Sequence, residues 1–289
     1  MTTDRVGFIG QGWIGKNYAD DFERRGYEVV RYALEEPYAA NKEAVGECDI
    51  VFIAVPTPTT PEGFDVSIVT SVLSCVGEGK IAVIKSTIVP GTTEALQRQF
   101  PDRIILHSPE FLREAHAAHD AAHPERTIIG IPEDTEHYHA AAARVLAVLP
   151  ESPYRAVMSA RAAELIKYGG NVFLALKVVY ANLLYDLAAS LNVPYEEVKE
   201  GMGADSRIGP SHLSPVQASG HTSNPGRGAG GHCFIKDLEA FRQLYADHVG
   251  DMEGSELLKT VVRKNNALLV ASGKDVELVQ QVYGDSLEP

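Results

Sequence analysis

The stretch RVGFIGQGWIGK, Arg5 to Lys16, decides the fold. RVGFIG is a short β-rich run, and the pattern that follows, through KNYADDFERRG, reads as a helix ending at Gly26. Between them Gly10, Gly12 and Gly15 stand in the spacing G-x-G-x-x-G. After a strand and before a helix, the first glycine allows a tight turn. The second lets the backbone approach a pyrophosphate, and the third packs helix on strand. The helix N-terminus then offers its amides to the phosphate charge. This context predicts a dinucleotide-binding unit.

The pattern continues outward. YEVVRYA (27–33), DIVFIAVP (49–56), KIAVIKST (80–87), RIILHSPE (103–110) and RTIIGIP (126–132) are continuously apolar runs, as strands covered on both faces tend to be. Helical patterns such as VSIVTSVLSCVG and TTEALQRQF lie between them. Strand alternating with helix predicts a Rossmann-type α/β fold with a doubly wound, mostly parallel sheet.

After YRAVMS (154–159) the pattern changes. Helical periodicity runs from Ala160 to Asn192, which predicts the central helix of an all-α second domain or a dimer core. Gly169 and Gly170 interrupt it, each at about 1 kcal/mol against alanine, so close approach of another backbone or a ligand is expected there. A Pro/Gly/Ser-rich stretch, 203–232, is too long for an ordinary loop. Helical character resumes at Lys236 and continues to about 283. The domains expected are 1–157, binding the dinucleotide, and 158–289, helical.

The net charge, 26 − 39 = −13, argues against nucleic acid or an anionic membrane as partner, while leaving room for a phosphorylated substrate. No run of about 18 consecutive apolar residues occurs, so no transmembrane helix is expected. MTTDRVGFIG runs into a strand without a signal-peptide layout, and a cytoplasmic location is expected. Three scattered cysteines, Cys48, Cys75 and Cys233, suit a reducing compartment, with the first two read as small core residues. His116, His119 and His123 have helical spacing, but they read as a solvated helix face and no metal is expected.

An acid that takes the ribose hydroxyls is expected at the end of the second strand, where Ala33 stands instead. Glu35 or Glu36 could substitute. Arg31 would suit a 2′-phosphate, or it faces solvent or sheet neighbours. NAD is favoured over NADP.

Several stretches carry candidate chemistry. Thr87 in KSTIVPG ends a strand where a doubly wound sheet places its ligand crevice, and it either holds a water or the nicotinamide or simply makes a turn. Glu110 and Glu114, four apart in SPEFLREAHAAH, would share a helix face, serving proton transfer through a raised pKa or facing solvent. Lys167 and Asn171 in AELIKYGGN share a face of the long helix, as an oxyanion clamp or as a snorkelling lysine beside an amide. In GRGAGGHCFIKD the glycines make Cys233 approachable, and Lys236, His232 or a helix N-terminus would favour its thiolate. Asp237 could orient a water.

These segments together resemble the UDP-glucose/GDP-mannose 6-dehydrogenase family. The glycine motif, VPTPTTPEG (55–63), KSTIVPGTTE, SPEFLREA, AELIKYGGNVFLALK, DSRIGPS (205–211) and GAGGHCFIKD match it in order and spacing. The resemblance implies oxidation of a primary alcohol to a carboxylate in two hydride transfers to NAD. Cys233 would capture the aldehyde as a thiohemiacetal and then carry a thioester. Lys167 and Asn171 would stabilise the oxyanion, Asp237 and Thr87 would hold a water, and Glu114 assisted by Glu110 would support hydrolysis. Gly10, Gln11, Gly12, Trp13, Ile14, Gly15, Val55, Pro56, Thr57, Ser86 and Thr87 would line the cofactor. Phe111, Leu112, Arg113, Lys167, Asn171, Arg227 and Gly230 would meet the substrate. A homodimer built on the long helix is implied as well.

The sequence departs from the family in two places. The family carries a third, C-terminal α/β domain for the nucleotide part of the substrate, and this chain reads as a short form without it. The family pattern near the cysteine is close to GYGGSCFPKD, where Ala229 here replaces the aromatic, His232 the serine and Ile235 the proline. The segment HLSPVQASGHTSN (212–224) is longer than the family norm, with His221 and Arg227 as candidate anion contacts. A different or smaller phosphorylated or nucleotide-linked alcohol is therefore expected as substrate. Two other readings stand beside this one: a β-hydroxyacid-type dehydrogenase making one hydride transfer, and a non-catalytic dinucleotide-binding protein.

Overall fold

The computed structural model describes residues 4–219 and 224–284, the side chain of Glu114 excepted. In chain order, β1 (Val6–Ile9), α1 (Trp13–Arg24), β2 (Val29–Tyr32), α2 (Lys42–Gly46) and β3 (Ile50–Ile53) come first. A small hairpin of β4 (Thr59–Thr60) and β5 (Gly63–Phe64) follows. Next are α3 (Ser67–Leu73), β6 (Ile81–Ile84), α4 (Thr92–Gln99) and β7 (Ile104–His107). After these come α5 (Ala117–Ala122), β8 (Arg126–Ile131), α6 (Glu136–Val148) and β9 (Tyr154–Ser159). The rest is α7 (Ala160–Ser190), α8 (Tyr195–Gly203), β10 (Val216–Gln217), β11 (Gly226–Arg227), α9 (Gly231–Val249), α10 (Met252–Ser272) and α11 (Val276–Tyr283).

Contacts divide the chain into two compact units, one of Met1–Pro58 with Asp65–Lys167, the other of Thr59–Phe64 with Tyr168–Pro289. The division falls within the continuous helix α7, ten residues past the expected 157/158, and VPTPTTPEG gives its hairpin to the second unit.

The first unit is built on a seven-stranded sheet of order β2-β1-β3-β6-β7-β8-β9. All its pairings are parallel except β7 with β8, which are antiparallel. β1, β3 and β6 are buried along their whole length, as their unbroken apolar character predicts. Phe8 stacks on Phe52 at 5.0 Å and meets Phe22 of α1 edge-on at 5.3 Å. The small Ala141 and Ala142 let α6 lie close to this core. The chain runs outward from β1 to β2 and returns to pair β3 on the other side of β1. Its direction of winding reverses there, and open α/β sheets bind ligands at such a switch point.

The second unit is helical. Ile235, Leu269, Leu278, Val279 and Val282 join α9, α10 and α11, while Val172, Leu238 and Val262 join α7, α9 and α10. Gly250 and Gly273, with φ of 69° and 65°, end α9 and α10 in the left-handed conformation that glycine adopts without steric cost.

Three sequence expectations change. Helix α9 begins at Gly231, not Lys236, so His232 and Cys233 are helical. A Cβ at Gly169 or Gly170 would meet nothing within 4 Å, so no neighbouring backbone accounts for them. Finally, α7 is long and apolar enough, by length and composition alone, to cross a membrane. Counting consecutive apolar residues misses this because single polar residues such as Asn171, Lys177 and Asn182 break the run. Core helices of proteins outside membranes pass the same test.

Candidate active site

The dinucleotide motif occupies the β1–α1 turn. Gly10 has φ of 90°, and a Cβ there would strike the Ala54 carbonyl. A Cβ on Gly15 would strike the Gly10 carbonyl, so this glycine seats α1 against the strand end. Gly12 differs: a Cβ would meet nothing within 4 Å. It is the N-cap of α1 and has no side chain to satisfy the first-turn amides. These features fit a pyrophosphate.

Neighbouring loops from β3 and β6 join this turn. Val55 donates its amide to Ser86 Oγ at 3.0 Å, and Ser86 Oγ donates back to the Val55 carbonyl at 2.7 Å. Thr57 Oγ1 donates to the Thr87 carbonyl at 2.7 Å. Thus Gly10–Gly15, Val55–Thr57 and Ser86–Thr87 form one continuous surface at the switch point. Trp13 is exposed and Ile14 packs on the core.

Ala33 is buried, and Glu35 and Glu36 lie exposed in the following turn. Arg31 faces neither solvent nor the sheet alone. It pairs with Asp20 and Glu23 of α1, both at 2.7 Å, and donates to Gln11 Oε1 at 3.3 Å. Its charge is therefore matched inside the unit, which removes the free cation that a 2′-phosphate would need.

Behind this surface lies a buried polar group that sequence reading missed in part. Lys85, 2% exposed, sits 4.2 Å from the centre of the Tyr18 ring and donates to Ser108. Burial lowers its pKa to about 8. Burial likewise lowers His107 to about 3. Glu110 is raised by burial, against the positive charges of Lys167 and Lys85, and its carboxylate accepts the Leu112 amide. Lys167 is buried and lies 5.6 Å from the Phe111 ring, over which Arg126 stacks at 3.7 Å. The one signal for Lys85 was a lysine closing a fully apolar strand.

Glu110 and Glu114 do not share a helix face. Residues 108–113 are non-helical, and a single 3-10 turn, Glu114–His116, follows. Arg113 holds this segment extended by binding Asp120 through its own amide and its guanidinium, each at 2.9 Å to one oxygen. The Glu114 side chain lies outside the described residues. Leu112 packs on the core.

Glu164 of α7, fully buried, accepts the amides of Gly91 and Thr93 and the Thr93 hydroxyl, at 2.6, 2.9 and 2.6 Å. It caps α4 and so fixes the loop that begins at Thr87.

In the second unit, Asp237 is 1% exposed and takes two donors, Asn171 Nδ2 and Lys236 Nζ, each at 2.6 Å. Lys236 is thus engaged by Asp237 rather than left for the thiol. Cys233 is exposed and is the third residue of α9 after the N-cap Gly230. It stands at the end of this 19-residue helix where the backbone dipole is positive. Cys233 and Asp237, four apart, share one face of that helix. Cys48 is buried and pushed up to about 11 by burial, as a core thiol should be, while Cys75 is half-buried. Arg227 binds Asp186 at 2.8 Å and Asn182 at 2.8 Å. His221 lies outside the described residues. Among the described residues no three His, Cys, Asp or Glu side chains are grouped to hold a metal ion.

Residues 36–148 match the model of the UDP-glucose/GDP-mannose dehydrogenase family, NAD binding domain, and residues 161–267 match that family's central domain. A UDP-glucose 6-dehydrogenase of Rhizobium meliloti is 32% identical over 249 residues, covering 81% of this chain and 54% of its own. Another, of Bacillus subtilis, is 30% identical over 240 residues, covering 78% and 50%. The chain thus spans about half the length of these relatives. The solved UDP-glucose dehydrogenase of Pyrobaculum islandicum superposes with a TM-score of 0.77 at 29% identity, covering 92% of this chain and 68% of that one.

Proposed function

The chain belongs to the UDP-glucose/GDP-mannose dehydrogenase family, and from that premise we propose that it oxidises the primary alcohol of a nucleotide-linked or phosphorylated sugar to a carboxylate. The observation that carries the reading is Cys233 in the first turn of α9, on the same face as the buried, doubly bonded Asp237. NAD, when bound, accepts one hydride in each of two oxidations.

Residues of this chain do the rest. Gly12 and the α1 N-terminus take the pyrophosphate. In the first oxidation the alcohol loses a hydride and a proton, and Asp237 orients the water that takes the proton, a task the resemblance shares with Thr87. The resulting aldehyde cannot readily lose hydride until a nucleophile adds. The Cys233 thiolate adds to the carbonyl carbon, and Lys167 and Asn171 hold the oxygen as a thiohemiacetal forms. Loss of the second hydride leaves a thioester. Water adds to it, the carbon–sulfur bond breaks, and the carboxylate leaves with the thiolate restored. Glu114 supports this hydrolysis, assisted by Glu110, whose carboxyl is raised by burial. The chain works as a homodimer through an apolar stripe on α7.

The test is stoichiometric. Purified protein with NAD is offered UDP-glucose, GDP-mannose and a panel of sugar phosphates, and NADH is counted per substrate consumed. Two NADH per substrate are expected, with Cys233→Ser unable to deliver the second. One NADH from the unaltered protein would instead support the single-transfer β-hydroxyacid reading, and binding without turnover the non-catalytic one.

A further inference from the structure

The segment GRGAGG, 226–231, looks in sequence like a flexible approach to Cys233. In the structure it is gripped by α10 and by the connection between α10 and α11. Arg227 donates its amide to Ser272 Oγ at 2.9 Å. Lys274 Nζ donates to the carbonyls of Gly228 at 2.9 Å and Gly226 at 3.4 Å. Asn265 accepts the Ala229 amide at 2.7 Å and donates to the Ala229 carbonyl at 3.0 Å. Asp275 accepts the Gly231 amide at 2.8 Å through one oxygen and the Ser219 hydroxyl at 2.9 Å through the other. Lys274, Asp275 and Asn265 are all 2% exposed or less.

The glycines follow from this grip. A Cβ on Gly226 would lie 2.7 Å from Lys274 Cβ, and one on Gly230 would collide with the Asp275 carboxylate. Gly228 and Gly231 have φ of 88° and 82°. The glycine run therefore serves close approach and left-handed turns, which is a rigid use of glycine. Asp275 itself adopts φ of 51°, which brings its carboxylate to the start of α9. Residues 272–283 lie beyond the stretch matching the family's central domain, which ends at 267. The family match is silent about them.

We propose that Lys274 and Asp275 are positioning residues that latch segment 226–231 and so fix the Cys233 end of α9. The reactive role of Cys233 is taken from the reading above, and the latch itself stands on the bonds just described. Both side chains are buried, so removing one leaves the other without its local counter-charge as well as freeing the loop.

The test uses the full chain with Lys274→Met, Asp275→Ala and the conservative Asp275→Asn, which keeps an oxygen for the Gly231 amide. Amide hydrogen exchange of 226–233 and the rate of Cys233 alkylation by iodoacetamide are followed by mass spectrometry, with Cys75 as internal reference. In the unaltered protein the segment should exchange slowly. Lys274→Met and Asp275→Ala should speed exchange there by about tenfold or more while α7 keeps its protection, since local opening draws on local bonds. Both should change Cys233 alkylation by at least about threefold relative to Cys75, and Asp275→Asn should restore values near wild type. Fast exchange of 226–231 in the unaltered protein overturns the latch, as does exchange that rises equally in α7 and in the segment. If any variant loses cooperative thermal unfolding, Asp275→Asn and Ser272→Ala decide by the same criteria. If the latch holds but Cys233→Ser still yields two NADH, only the catalytic reading fails.

Discussion

At the scale of single residues, the buried titratable groups of the first unit set a pH response. His107 is fully buried, and its pKa is lowered from 6.5 to about 3. Below pH 6.5 the unfolded chain takes up a proton that the folded chain refuses until about pH 3, so the folded state loses stability as pH falls through that window. At pH 5 the loss from this group is about 2 kcal/mol. His107→Gln should remove it: the gap in unfolding free energy between variant and wild type, measured by urea at pH 7 and pH 5, should shift by about that amount in favour of the variant. An unchanged gap would contradict the assignment. Sequence reading could set Lys167 beside Asn171 and Cys233 beside Asp237 because each spacing is local to a single helix. It passed over Lys85, His107, Glu164 and Asp275, whose partners stand far away in sequence.

At the scale of elements, the glycine turn separates stability from binding. Gly15→Ala forces a Cβ onto the Gly10 carbonyl, so α1 must move off the strand end. That should destabilise the protein by about 1–3 kcal/mol, read from thermal or urea unfolding. Gly12→Ala meets open space and an extended backbone, so its stability should stay within about 1 kcal/mol of wild type. The same methyl group stands where the pyrophosphate must approach. NAD affinity by calorimetry should therefore fall by about tenfold or more with little change in melting temperature. Equal effects of the two substitutions on stability would refute this division of labour. The turn was legible because its glycine spacing, strand and helix are contiguous. The segment 108–113 was not, since its non-helical course depends on ties such as that between Arg113 and Asp120, which sequence spacing does not show.

At the scale of the whole molecule, α7 leaves a row of large apolar side chains uncovered. Phe173, Tyr180 and Leu187 recur every seven residues and are 66%, 53% and 54% exposed, with Leu183 and Leu191 beside them. A seven-residue repeat keeps one stripe along a helix. The proposed homodimer would cover it. Phe173→Glu with Leu187→Glu should convert a dimer to a monomer in light scattering after gel filtration. NAD binding, which uses the first unit, should stay within about twofold. A monomeric wild type would sink the dimer.

Local pattern was enough for the α/β class, six of the seven strands of the large sheet, the dinucleotide turn, the long helix and the shared helix faces of the candidate residues. Each of these is written in periodicity or spacing over a few turns of chain, where the geometry of helix and strand alone places the side chains. It took the folded arrangement to show that Arg31 is neutralised by α1, that Glu110 is buried beside two lysines, and that the glycines before Cys233 make a clamped turn rather than a loose one. Those outcomes depend on which distant groups meet at an atom. Burial and hydrogen bonding act through space, and no local pattern records them.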